Sequence, residues 1–178
     1  THKDAEKALD ERDEGQGACV LRPSNQGDSL TLTWCHIGAN PAEGGYPAKA
    51  MYYHIKVREV ERADVPGGLG FEVDGEAFED LDEIAARFVG ELNRHTDAVL
   101  SHRKFHAGEK AVMEASLHAQ KQDNPKQIPY ALSLDERLPG YFLLSCLPTK
   151  KVQTEFIKVI ATGFSRGSGA KKKKFKTL

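Results

Sequence analysis

Apolar and polar positions along this chain recur with two different periods, and the changes of period mark its elements. Over residues 4–14, Ala5, Ala8 and Leu9 fall on one side of an amphipathic helix that Gly15 and Gly17 end. Cys19, Val20 and Leu21 form a short apolar run, read as a buried strand with Arg22 at its end. The following stretch, Pro23 through Asp28, is dense in turn residues. Strict alternation then predicts half-buried strands over 30–34 and 53–57, with a brief strand over 71–73 after the Pro66-Gly67-Gly68 break. Leu81, Ile84, Ala85, Phe88 and Leu92 make a helical stripe over 80–92. Asp80 is placed to cap it, with Asp82 and Glu83 in its first turn.

The same order then starts again. A second amphipathic helix is predicted over 109–120 through Val112, Met113 and Leu117, and Asn124-Pro125 ends it. Strands follow over 128–134, 141–147 and 155–160. Helix, antiparallel strands and helix, repeated in 178 residues, predict an α+β protein of two tandem units, 1–98 and 99–178, with the change-over near 95–102.

Charge divides the chain at the same place. Residues 1–100 carry 10 Lys/Arg against 20 Asp/Glu, and residues 101–178 carry 15 against 6. The second unit should attract a polyanion, and the first should not, except at a local pocket. Part of the basic excess is four consecutive lysines at 171–174 plus Lys176, which a solvated loop or tail would also explain. Cys19, Cys35 and Cys146 lack metal-ligand spacing and suit reduced thiols. No apolar run reaches the roughly 18 residues of a membrane helix, and the N-terminus lacks a signal-peptide layout.

Arg22 carries the most chemical information. It closes an apolar strand, so its stem leaves the core and its guanidinium meets the next loop. The planar, permanently charged fork of arginine suits bidentate binding of phosphate. Ser24, Asn25 and Ser29 in and after that loop supply small donors, and His54 and Lys56 alternate on one face of a nearby strand. On residue types alone, a structural salt bridge between Arg22 and a local carboxylate remains open.

Val20-Leu21-Arg22-Pro23-Ser24 resembles the strand-and-loop signature of Src-homology-2 domains. Ala5-Glu6-x-x-Leu9 is similar to their first helix and Tyr53-His54-Ile55-Lys56 to their fourth strand. Longer matches follow in order: 30–34, 54–59 and 78–84, then Asn124-Pro125, Ile128-Pro129-Tyr130, 138–144 and Gly163-Phe164. Together they resemble the tandem Src-homology-2 regions of eukaryotic transcription elongation factors that are also histone chaperones. The resemblance implies two tandem Src-homology-2-like domains, each a small antiparallel sheet flanked by helices, the second divergent and truncated before its closing helix. It implies a nuclear, non-enzymatic, monomeric module without a cofactor. Its partner would be the phosphorylated largest subunit of RNA polymerase II, at the linker before the C-terminal repeats and at the repeats themselves. Carried over by position, Arg22, Ser24 and His54 match the phosphate pocket. Asn25 stands where relatives often have a second serine.

The second unit has no basic residue over 128–134, where an anchoring arginine would sit. Phosphate there would need another surface, for which Arg103, Lys104, Lys150, Lys151 and Lys158 are candidates. Two other classes compete with this view. One is nucleic-acid binding by the basic second half, where salt-dependent affinity is expected, although stacking aromatics are not interleaved with the lysines. The other is a tandem that docks unmodified protein. His102 and His106 lack a third metal ligand. The acidic residues from Glu79 to Glu83 suit a helix start, and 66–70 lacks the lysine of a phosphate loop. No nucleophile elbow is present, so catalysis is not expected.

Overall fold

The computed structural model describes residues 1–12, 15–24, 27, 29–39, 46–167 and 172–177. The first unit starts with α1 (His2–Arg12). A five-stranded antiparallel meander follows: β1 (Cys19–Pro23), β2 (Leu30–Ile37), β3 (Met51–Glu61), β4 (Leu69–Val73) and β5 (Glu76–Phe78). In β1–β3 the period of two separates the faces. Leu32, Ile55 and Val57 point to one side and are buried there. Thr31, Thr33, His54 and Lys56 share the other side. Ala5 and Leu9 bury the apolar stripe of α1 against β1 and β2 on that second side. Covered from both sides, β2 is buried from Leu32 through Ile37.

Asp80 accepts a hydrogen bond from the Glu83 backbone at 2.7 Å and caps the helical segment as expected. That segment runs as α2 (Leu81–Glu83), a π turn (Ile84–Val89) and α3 (Gly90–Leu100), eight residues beyond the predicted end. The reason is tertiary. Leu92, His95, Thr96 and Val99 are all buried, because α3 packs on β8 and β9 of the second sheet and also meets the first, where Trp34 Nε1 donates to Asn93 Oδ1 at 2.8 Å. A helix held between two sheets buries polar positions that no one-sided apolar stripe reveals.

The second unit repeats the plan with α4 (Lys110–Asp123) and the antiparallel order β6 (Tyr130–Ser133), β7 (Tyr141–Cys146), β8 (Gln153–Ile160), β9 (Gly163–Arg166) and β10 (Lys173–Phe175). The three- and four-residue strands β5, β9 and β10 were not expected; runs this short carry too few positions for a period to register. Among the described residues, no helix is long and apolar enough to cross a membrane.

One apolar cluster joins the sheets: Leu32, Trp34 and Leu92 pack in it with Leu132, Phe142 and Phe164. Its polar clasp is His36. The Gly140 backbone N–H donates to His36 Nδ1 at 3.1 Å, and Phe142 meets the ring edge-on at 5.0 Å. The ring is therefore neutral, with its proton on Nε2, and complete burial pushes its pKa down to about 3. Gly140 sits at φ +81°, and a Cβ there would lie 2.9 Å from the Tyr53 ring, so this contact requires glycine.

Candidate functional site

The β1–β2–β3 register sets the site. Arg22 is paired with Thr31, and Thr31 with Lys56; one row along, Val20, Thr33 and His54 are aligned. Arg22, Thr31, Thr33, His54 and Lys56 therefore share the α1 face of the sheet. Turn bonds close the end of this face, from Ser24 N–H to the Ser29 carbonyl at 2.8 Å and from Gly27 N–H to the Ser24 carbonyl at 3.2 Å. Ser24 and Ser29 thus flank the guanidinium end of the row. Asn25 lies outside the described residues.

The guanidinium of Arg22 donates through Nη1 to the Pro23 carbonyl at 3.1 Å. Its Nε is buried with no partner among the described residues, and none of the ion pairs between described residues involves it. A buried donor left unmade costs on the order of 1–3 kcal/mol, so the site holds unused donor capacity that an anion would satisfy. His54 is already engaged. Nδ1 pairs with the Thr33 hydroxyl at 3.0 Å and Nε2 with Glu6 Oε1 at 3.0 Å, and the His2 ring lies 5.8 Å away edge-on. Lys56 is exposed beside the Arg22–Thr31 row.

Glu6 was not among the expected site residues. Its signal is the spacing His2, Glu6, Asp10, one residue per helical turn. With Ala5 and Leu9 buried, this row faces β3: Glu6 meets His54, and Asp10 accepts a hydrogen bond from Tyr52. That bond and burial raise the Tyr52 pKa, burial contributing most. Burial likewise pushes neighbouring Cys35 up to about 11, leaving an inert thiol.

Of the basic candidates of the second unit, Lys158 stands at a different place from Lys104. Arg103, Lys150 and Lys151 are exposed. Lys104 donates to Gln120 Oε1 at 3.3 Å and stands over the Tyr130 ring at 5.7 Å. Lys158, on β8, lies some 20 Å along the chain from Lys151 at ~3.3 Å per residue. It faces the first unit instead, 5.2 Å over the Tyr53 ring and 3.9 Å from Asp74. Burial opposes its charge, but the hydrogen bond and charge of Tyr53 and the charge of Asp74 outweigh that and raise its pKa. A cavity of about 100 Å³ there is lined by Lys158, Lys172, Lys174, Asp74 and Glu76. The lysine run was singled out in the sequence, but its place beside Lys158 was not, because only β10, paired on β9, brings Lys172 and Lys174 back to β8. His102 and His106 follow α3 in a loop, and among the described residues no group of three ligands could hold a metal.

A model of the SH2 domain matches residues 1–178. The chain belongs to the SH2 domain family. It is a non-catalytic binding module of the kind that recognises phosphopeptides. It is 33% identical over 158 residues to transcription elongation factor SPT6 of Drosophila melanogaster, covering 84% of this chain and 8% of that protein. It is 31% identical over 156 residues to the SPT6-like factor of Arabidopsis thaliana, covering 85% and 11%. The chain thus spans about a tenth of the length of these relatives. In fold it is similar to the tandem SH2 domain of elongation factor Spt6 that binds the phosphorylated RNA polymerase II C-terminal repeat domain. That match has a TM-score of 0.73 and 29% identity over 91% of this chain and 78% of the other. The tandem SH2 domains of Antonospora locustae Spt6 share the fold with a TM-score of 0.66, 16% identity and coverage of 100% and 84%. These likenesses agree with the two antiparallel sheets and flanking helices described above.

Proposed function

We propose that this chain binds phosphorylated segments of the largest subunit of RNA polymerase II, at the linker and the C-terminal repeats. It would thereby bring a nuclear elongation factor and histone chaperone to transcribing polymerase. In this reading the units divide at 98/99, and Arg22 anchors the phosphate with Ser24, Ser29, Asn25, His54 and Lys56 around it. The observation that carries the reading is the Arg22 guanidinium, which forms no direct ion pair with a described carboxylate, although Asp4 lies within its electrostatic reach, and which holds an unpartnered Nε beside the row of Thr31 and Lys56. A second phosphate would meet Lys158 with Lys172 and Lys174, while Arg103, Lys104, Lys150 and Lys151 remain the other basic candidates of the second unit. The test is a titration of phosphorylated and dephosphorylated polymerase-linker peptides against the wild type and Arg22→Ala. Equal affinity for the two peptides, or for the two proteins, rejects the reading.

One observation favours nucleic acid as a second reading: β10 is an edge strand whose Lys173 and Lys174 are exposed. RNA that competes with the phosphopeptide, with affinity falling steeply as salt rises, would support it.

A further inference from the structure

The carboxylate of Glu6 is out of place in a cradle for an anion. It stands on the same face of the sheet as Arg22, Thr31, Thr33 and Lys56, 3.0 Å from His54 Nε2. Its position is imposed by the fold. Ala5 and Leu9 are buried at 5% and 3% exposure, which fixes the helix, and Asp10 anchors the next turn of the same row to Tyr52. Glu6 and His54 are each about one-third exposed, so the contact lies at the mouth of the face and not within the core. With Thr33 on the other ring nitrogen, His54 has no spare hydrogen-bonding position.

We propose that Glu6 is a specificity-determining residue that competes with the incoming ligand, so that only a group more strongly anionic than a carboxylate displaces it from His54. The proposal rests on the reading that the Arg22 cradle binds phosphate. A phosphoryl group brings about 1.5–2 negative charges and three acceptor oxygens; a carboxylate brings one charge and two oxygens, the same as Glu6 itself. Exchange of Glu6 for phosphate at His54 therefore gains charge and acceptors. Exchange for an aspartate or glutamate of an unmodified acidic peptide gains neither. Such a threshold separates modified from merely acidic segments.

Glu6→Gln keeps the length and an acceptor for His54 while removing the charge. Affinities for a phosphorylated linker peptide, for the same peptide with glutamate at each phosphosite, and for inorganic phosphate would be measured for the wild type, Glu6→Gln and Arg22→Ala. The expected result is a gain of about 3- to 10-fold for Glu6→Gln on phosphate and phosphopeptide at low salt, shrinking as salt is added. The glutamate peptide, which gains nothing by displacing Glu6 in the wild type, should bind measurably only to Glu6→Gln. An unchanged or lowered affinity in Glu6→Gln, with Arg22→Ala still strongly impaired, overturns the competitor role and makes Glu6 a residue that merely positions His54. If Arg22→Ala binds like the wild type, the cradle itself is rejected and this inference falls with it.

Discussion

The two units place chemically opposite residues at equivalent positions. In the first, the face beneath α1 carries Val20, Arg22, Thr31, Thr33, His54 and Lys56. In the second, Ala131 packs with Met113 and Leu117 of α4, and the register extends that face through Ser133, Leu143, Ser145, Thr154 and Phe156. Ser133 takes the place of Arg22. The Ser145–Thr154 hydroxyl pair at 3.0 Å replaces the Thr33–His54 pair at the same distance, and Phe156 replaces Lys56. The fold keeps the polar cross-strand link in both units and keeps the cationic row in only one. Backbone architecture therefore tolerates either set, because the row sits at the rim of the helix–sheet contact rather than within it. What differs is the chemistry of each rim: Arg22, His54 and Lys56 in the first unit, uncharged side chains in the second.

The largest expected effect tests whether the two regions are energetically one. Phe142 belongs to the second sheet but packs on His36 of the first and is fully buried. Phe142→Ala should cost about 3–5 kcal/mol. Trp34, the sole tryptophan, lies in the first unit and reports the outcome by fluorescence during urea unfolding. A single shifted transition is expected, whereas an unmoved Trp34 transition would separate the units.

Next in size is the contrast at equivalent positions. Arg22→Ala should lower phosphopeptide affinity by roughly 2–5 kcal/mol with the fold intact, and Ser133→Ala should leave affinity unchanged. Comparable losses at both positions in a calorimetric titration would undo the comparison.

Acid reaches the seam between the units through His36. Its folded pKa of about 3 lies below the ordinary 6.5. Above pH 6.5 neither state is protonated and stability is constant. From there down to about pH 3 the unfolded chain takes up a proton that the folded ring refuses. Stability should therefore fall by about 1.4 kcal/mol per pH unit in that window. Buried His95, lowered first by burial and then by Arg94, acts in the same direction. Urea midpoints followed from pH 7 to 4 should drop, and His36→Leu should flatten the drop.

The smallest effect is again at Ser133. Its hydroxyl is buried without a partner among the described residues, so Ser133→Ala should change stability by no more than about 0.5 kcal/mol, toward greater stability. A loss above 1 kcal/mol in the same unfolding experiment would mean that the hydroxyl is bonded after all.

Much of this was legible in residue order. Alternation at Leu30 to Trp34 and Tyr53 to Val57 assigned faces correctly, and Asp80 announced its helix. That Arg22, His54 and Lys56 share one face was legible, because a strand end and a period of two are local facts. The cluster of Lys158 with Lys172 and Lys174, and the pairing of Glu6 with His54, were not.

The linear chain by itself determined which side of each strand faces inward, on which face of the sheet Arg22 stands, and how charge is divided between the halves. These depend on spacings of two to four residues, which backbone geometry converts directly into direction. Only the tertiary structure decided that α3 lies between two sheets, that His36 and Gly140 clasp them, and that a helix carboxylate stands on His54. Each of those joins residues 45 or more positions apart, and only the packing of whole elements, not any local periodicity, brings such positions together.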